Sequence, residues 1–393
     1  MRRIYLDANA TTPLLPEVLE AMRPFFLEQF GNASSIHQEG QHARWAVEQA
    51  RASVARFLGC RPAEIVFTSG GTESDNLAIF GSVKPGDHVI TTSVEHHAVL
   101  HAVEKLRDRA VDVDFLPVNG QGVVAVGDVR KALRPNTKLI SVMMANNETG
   151  VLQPVSEIGR VAAEAKVRLH VDAVQAAGKL ALEVDAIGCH LLTISGHKMH
   201  APQGTGALFV RRGTRLEPLF AGGAHERQRR AGTENVAGIV GLGKAAECAM
   251  EGLRSGVPER IRALRDRLEQ GLLKRVSEAG VNGGEAPRVP NTTNLWFDHL
   301  EGEALVIALD LKGLAGSSGA ACASGASQPS HVLEAMGMSA QRARASLRLS
   351  LQKQTTEEEI DQALLLVTAQ VARLRELSVD GNGYRKSVSA AVR

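Results

Sequence analysis

Between residues 16 and 256 the chain alternates short apolar runs with longer amphipathic ones, and that alternation constrains the fold more than anything else in it. The apolar runs are Glu64–Thr68, His88–Thr92, Leu139–Met144, Arg168–Asp172 and Leu191–Ile194. Helical patterns lie around them, from Pro16 to about Leu27, from Gln41 to Leu58, and after the turns at Ser69–Asn76 and Ser93–Val99. Strands separated by helices pair in parallel, because a crossover is needed to return the chain to the same end of the sheet. The spacing therefore predicts an α/β fold: a mostly parallel sheet with helices on both faces. Ala207–Val210 follows Leu191–Ile194 without an intervening helix, so it is expected to run antiparallel. In open sheets of this kind, ligands bind beyond the carboxyl ends of the strands. The residues that end each apolar run are thus the first candidates for a site.

At 393 residues the chain is too long for one small core. A break in composition at Gly252–Pro258 divides it. Residues 16–256 read as a large domain, and 1–15 with 257–393 as a small α+β domain. The latter has strands at Thr293–Phe297 and Leu347–Leu351, and helices at Glu301–Leu311 and Glu357–Arg375. The tail from Val379 has weak periodicity and is expected to be flexible or partner-binding. Lys and Arg number 45 against 43 Asp and Glu, a net charge of +2, which leaves no nucleic-acid footprint. No apolar segment follows Arg2-Arg3, and none elsewhere is long enough to span a bilayer, so a cytoplasmic location is expected. The four cysteines lack CxxC spacing, which argues against a disulfide framework or an intrinsic metal site. Cys60, Cys189 and Cys248 sit in apolar surroundings and read as small core residues.

Three strand ends carry chemistry. Leu191–Ile194 runs into Ser195-Gly196-His197-Lys198, then Pro202 and a Gly-rich turn. A lysine at that edge suits a Schiff base with an aldehyde cofactor; an ordinary loop lysine is the alternative. Arg168–Asp172 ends in a carboxylate, with Gln175 three residues on. A carboxylate there is costly unless paired, and a protonated pyridine nitrogen would pair it; a helix-capping aspartate is the alternative. Gly70-Gly71-Thr72 reads as a tight turn with Thr72 capping a helix, an arrangement that favours a phosphate. Together these supply what pyridoxal phosphate (PLP) requires. His96 could stack on its ring or lie at the surface, and Asn146-Asn147 end another strand.

From Gly313 to Ser327 every residue except Leu314 and Cys322 is Gly, Ala or Ser. Such a run is entropically costly to order and offers little apolar mass in return, so a mobile loop spanning about 313–329 is expected. A thiol on a mobile arm suits a nucleophile that must reach into a pocket and carry a product out; an incidental cysteine in a linker is the alternative.

These stretches resemble a family. YLDANATTP, GNASSIH, TSGGTESDN, EHHAV, NNETG, HVDAVQ, SGHKMHAPQGTGAL, RAGTEN, SSGAACASG and SLRLSL occur in order from Tyr5 to Leu351. The combination closely resembles cysteine desulfurases of the NifS/IscS type, within the PLP-dependent, class V aminotransferase-like superfamily. The resemblance implies fold type I, with a seven-stranded sheet in the large domain. It implies removal of sulfur from L-cysteine to give L-alanine and a persulfide on Cys322, passed to an iron–sulfur scaffold or another acceptor protein. Lys198 would form the Schiff base and move protons at the substrate Cα. Asp172 would pair with the ring nitrogen, Gln175 would contact the ring hydroxyl, and His96 would stack on the ring and act in acid–base steps. Gly71, Thr72, Ser195 and His197 would hold the phosphate, joined by Thr233 from the second subunit of a homodimer. Asn147 and Arg348 would hold the substrate carboxylate. An iron–sulfur cluster could be held transiently through Cys322 with a scaffold, with no resident metal. The family often reads S-G-S-A-C-T-S where this chain has Ala320 and Ala323 in place of the second Ser and the Thr. The rival readings are a related PLP enzyme without persulfide chemistry, a non-catalytic sulfur-trafficking scaffold, and a binder of phosphorylated ligands.

Overall fold

The computed structural model describes residues 3–318 and 329–390, with 378–390 as backbone only. Seven strands form the main sheet: β1 (Ile65–Thr68), β2 (His88–Thr92), β3 (Asp112–Leu116), β4 (Thr137–Met143), β5 (Arg168–Asp172), β6 (Leu191–Ser195) and β7 (Gly206–Val210). Their order across the sheet is β1-β7-β6-β5-β4-β2-β3. β7 runs antiparallel to both its neighbours, and the other pairings are parallel. The expected α/β architecture is therefore present, with the reversed strand where the missing helix required it.

β3 was not expected from the sequence. It is one of the two edge strands, and its Asp112 and Asp114 face Arg134, so charged residues hide its period. The inner strands are buried except for Lys138 in β4 and Arg168 at the start of β5, as a sheet covered on both faces demands.

Among the helices are α1 (Gln38–Leu58), α2 (Gly71–Phe80), α3 (His97–Leu106), α4 (Val155–Ala165) and α5 (Val236–Arg254). One apolar cluster joins α1, α4 and α5 to one face of the sheet, and a second joins α2 and α3 to the other. A third cluster lies apart. Ile4 and Leu6 pack there with α6 (Val257–Arg275), α7 (Gly302–Asp310) and α8 (Glu357–Ala390), over β8 (Ala279–Val281), β9 (Thr292–Phe297) and β10 (Ser346–Ser350). β9 is the centre of that antiparallel sheet.

Several expectations are corrected. The first helical stretch breaks into Pro16–Met22 and Pro24–Leu27, because Pro24 interrupts the ladder. At the break in composition, α6 starts at Val257, since Pro258 fits a first turn. α8 stays helical through Ala390, past the expected end at Arg375. The expected mobile loop does not begin at 313. Ile4 and Leu6 donate their N–H groups to the carbonyls of Gly313 and Ala315, and Leu314 is fully buried. One buried leucine and a backbone ladder offset the entropy that composition alone suggested.

Candidate active site

The carboxyl ends of the parallel strands open into a cavity of about 300 Å3. Ten of the residues expected at the site line it together: Gly71, Thr72, His96, Asn147, Asp172, Gln175, Ser195, His197, Lys198 and Arg348. Gly71 and Thr72 follow β1, His96 follows β2, Asn147 follows β4, Asp172 and Gln175 stand at the end of β5, Ser195, His197 and Lys198 at the end of β6, and Arg348 comes from β10 of the other sheet.

Lys198 follows β6 by three residues, in a tight turn, and is half-buried. Its Nζ donates to the carbonyls of Asn9 and Ala10, the latter at 2.8 Å. Asp172, the last residue of β5, is buried; its Oδ1 accepts the N–H of Val174 at 2.9 Å. Burial raises its pKa, while the N–H of Val174 and the charge of Lys198 pull the other way. Asp75 lies beneath it, and burial together with the charge of Asp172 raises Asp75 well above the usual range. The site thus has one carboxylate that a cationic partner would stabilise and, near it, a second carboxyl whose ionisation burial and the charge of Asp172 disfavour.

The Gly-rich turn expected to hold a phosphate differs from expectation in detail. α2 starts at Gly71 with Gly70 as its N-cap, at φ 155° and ψ −175°, so Thr72 lies in the first turn and is not the cap. Glu73 closes the turn by accepting the N–H of Ser69 at 2.8 Å, and Arg230 pairs with the same carboxylate. The first-turn N–H groups have no intrahelical acceptor and offer an anion site. A Cβ at Gly71 would stand 2.9 Å from Val174 Cγ2, so only glycine leaves this floor open.

His96 is the N-cap of α3, and its Nδ1 accepts the N–H of Ala98 at 3.1 Å. That bond assigns the ring proton to Nε2. Burial and the charge of Lys198 lower its pKa to about 4, so it is neutral at physiological pH. His197 is lowered to about 4 for the same two reasons.

Arg348 is buried at the centre of β10. Nη1 donates to the carbonyl of Asn147 at 2.9 Å and Nη2 to Asp7 Oδ1 at 2.8 Å. Its Nε and the Oδ1 of Asn147 are buried without a partner among the described residues. Unpaired polar atoms on both walls of a cavity mark where a polar ligand belongs.

Thr233 is exposed and lines no part of this chain's cavity. Cys322 lies outside the described residues, as does the rest of 319–328. Both ends of that stretch are tied to the site. Ser317 and Arg348 exchange backbone hydrogen bonds, and Ser330 Oγ donates to Glu148 beside Asn147. Of the other cysteines, Cys189 is buried, while Cys60 and Cys248 are half-buried.

Sequence reasoning missed Asn9 and Lys179. Asn9 is buried and bonded through every polar atom to five separate stretches of the chain. Lys179 Nζ donates to Asn9 Oδ1 and Gln175 Oε1. The partners of Asn9 are distant in sequence, and Lys179, four residues after Gln175, gains its contact with Asn9 only in the folded chain.

A lysine, a carboxylate and a helix N-terminus gathered at the carboxyl edge of such a sheet define a fold type I PLP-dependent enzyme. The chain belongs to the class-V aminotransferase family, whose model matches residues 4–363, and within it to the cysteine desulfurases. It is 49% identical over 381 residues to a cysteine desulfurase of Trichormus azollae, covering 96% of this chain and 95% of that one. A solved NifS-like protein superposes with a TM-score of 0.88 at 36% identity, covering 95% of this chain and all of that one. SspA, solved in complex with cysteine, superposes with a TM-score of 0.78 at 36% identity, over 88% of this chain and 98% of its own. Among the described residues no helix is long and apolar enough to cross a membrane.

Proposed function

We propose that this protein is a cysteine desulfurase that uses PLP to convert L-cysteine to L-alanine and leaves the sulfur as a persulfide on Cys322. The observation that carries the reading is the single cavity in which Lys198, Asp172, the α2 N-terminus, and the unpaired atoms of Asn147 and Arg348 converge. The donor set fits the cofactor. Gly71, Thr72, Ser195 and His197 would hold a phosphate, with Thr233 of a second subunit. Asp172 would hold the ring nitrogen, Gln175 the ring oxygen, and His96 would pack on the ring. When bound, PLP supplies an aldehyde for Lys198 and the substrate amine, and a ring that withdraws electrons from the substrate Cα and Cβ.

The residues then divide the work. Arg348 through its free N–H groups, and Asn147 through its side-chain Nδ2 and not the unpaired Oδ1, bind the α-carboxylate and fix the substrate's orientation. Lys198 Nζ takes the proton from the substrate Cα. His96, neutral with its proton on Nε2, offers a hydrogen-bond donor there and does not act as a base while Nδ1 caps α3. Asp172 stays ionised opposite a protonated ring nitrogen. The Cys322 thiolate attacks the substrate sulfur. The Cβ–S bond breaks, an S–S bond forms, and Cβ takes up a proton to complete alanine. Two thiols thereby become one persulfide and one methyl group, with no outside oxidant or reductant.

The same reading includes a homodimer, an iron–sulfur scaffold or other protein as sulfur acceptor, and a cytoplasmic location. The dimer is supported by exposed Thr233 and by exposed Ile36, Trp45 and Phe220. The division into residues 16–256, and 1–15 with 257–393, is supported by Ile4 and Leu6 packing with α6 to α8.

The test is release of alanine and sulfide from L-cysteine, with PLP and a reductant, by the wild type and by Cys322→Ala. The expected result is equal yields from the wild type, and loss of sulfide from a variant that keeps its yellow cofactor. A variant that matches the wild type would refute the persulfide step and leave a lyase or an aminotransferase.

A further inference from the structure

We propose that Lys179 is a positioning residue of the cofactor site: by donating to Gln175 Oε1 it fixes the Gln175 amide with an N–H turned into the cavity. The inference rests on the reading of that cavity as a PLP site.

The side-chain amide of Gln175 can in principle face either way, and its partners decide. Nε2 stands 3.0 Å from the backbone carbonyl of Asn9, which can only accept. Oε1 stands 2.8 Å from Lys179 Nζ, which donates. The oxygen end is thereby committed away from the ligand. Nε2 keeps a second hydrogen for the cavity that Gln175 lines. Without Lys179 no other described residue holds Oε1, and the amide is free to turn its oxygen toward the ligand.

Lys179 also fixes what Gln175 leans on. Its Nζ donates to Asn9 Oδ1 at 3.0 Å. Asn9 is held further by Asn291 on the same oxygen, and it donates to Asn147 and Thr292. The carbonyl of Asn9 takes both Gln175 Nε2 and Lys198 Nζ. Lys179 therefore braces the residue that orients the reactive lysine as well as the amide beside it.

The role does not depend on charge. Burial, with Lys198 and Arg348 nearby, lowers the Lys179 pKa well below the usual range for lysine. A neutral amine still has two N–H groups for its two acceptors, both uncharged amide oxygens. An N–H aimed at the cofactor's ring oxygen favours the deprotonated oxygen, whereas a carbonyl aimed there opposes it. Gln175, held by Lys179, thus keeps the protonation midpoint of the bound chromophore low.

The test is a pH titration of the visible absorbance of the PLP-loaded protein. The forms compared are wild type, Lys179→Met and Lys179→Gln, each also in a Gln175→Leu background. Lys179→Met is expected to raise the midpoint by about one pH unit, the worth of one hydrogen bond to a charged group. Lys179→Gln, which keeps a side-chain N–H, moves it less. With Gln175→Leu present, replacing Lys179 should add no further shift. An unmoved midpoint in Lys179→Met overturns the inference, as does an equal shift with and without Gln175. Should Lys179→Met fail to fold, Lys179→Ala, which likewise removes the N–H donors, decides in the same way in the two backgrounds. A wild type with no visible cofactor band would instead refute the PLP reading itself.

Discussion

Arg348→Lys separates substrate binding from cofactor binding, and its cost follows from counting donors. A guanidinium has five N–H groups. Two are committed, to the carbonyl of Asn147 and to Asp7, which leaves three, including the buried unpaired Nε. An incoming α-carboxylate can take two of these side by side. An ammonium has three donors without the planar fork, and Asn147 and Asp7 occupy two. At least one hydrogen bond between charged groups is lost, worth about 1.5–3 kcal/mol, or roughly 10- to 150-fold. The carboxylate is held alike before and after the C–S bond breaks, so the loss should appear in KM for L-cysteine with kcat little changed. The assay is alanine formation over a range of L-cysteine concentrations, with the visible cofactor band as control. Because the Asp7 partner is kept, the variant should fold normally. An unchanged KM, or a loss carried wholly by kcat, would show that Arg348 does not hold the carboxylate.

Asp172→Asn keeps the shape of the β5 terminus but cannot stabilise a cationic ring nitrogen. Alanine formation should drop at least about 100-fold, matching roughly 3 kcal/mol for breaking a buried charged pair, while the cofactor band persists; activity within a factor of two of wild type would be incompatible with the assigned role. Gly71→Ala places a methyl 2.9 Å from Val174 Cγ2. Equilibrium titration should show PLP affinity weakened about tenfold, consistent with an overpacking cost of about 1–3 kcal/mol, and unaltered affinity would place the phosphate elsewhere. His170 is fully buried and neutral, with Ser141 and Thr193 on its two nitrogens, and burial lowers its pKa to about 3. The unfolded chain takes up that proton near pH 6.5, so this contribution to stability is present above 6.5 and lost as pH falls toward 3. It amounts to about 2 kcal/mol by pH 5. Thermal melts between pH 7 and 5 should therefore have a shallower slope in His170→Asn; an identical slope would remove His170 from the account.

What was legible in the sequence is what local pattern encodes. The inner strands are apolar because both faces are covered, so they stand out, and their polar ends mark the cavity. The edge strand β3 did not stand out, because Asp112 and Asp114 interrupt its pattern and find Arg134 only in the folded chain. Gly313–Ser318 read as mobile because composition does not reveal that Leu314 enters the third cluster beside Ile4 and Leu6. At the turn before α2, Thr72 looked like the cap because threonine caps helices often. The chain instead places Gly70 there, in a conformation suited to glycine, and closes the turn with Glu73.

Asn9 shows why the rest of the site had to wait for the fold. In sequence it is one polar residue in a turn. In space it touches five stretches, among them the β5 terminus with Gln175 and Lys179, the β6 terminus with Lys198, and β9 and β10 through Thr292 and Ser350. A cavity at a sheet edge needs one wall from elsewhere, and here residues from the first fifteen and from β9 and β10 supply it. Asp7 pairs with Arg348, while the carbonyls of Asn9 and Ala10 hold Lys198. The groups assigned to the cofactor and those assigned to the substrate are therefore mechanically joined through one short N-terminal stretch. Apart from Asp7, the joining is done by main-chain carbonyls and the amide of Asn9, groups that carry no local signal in the sequence.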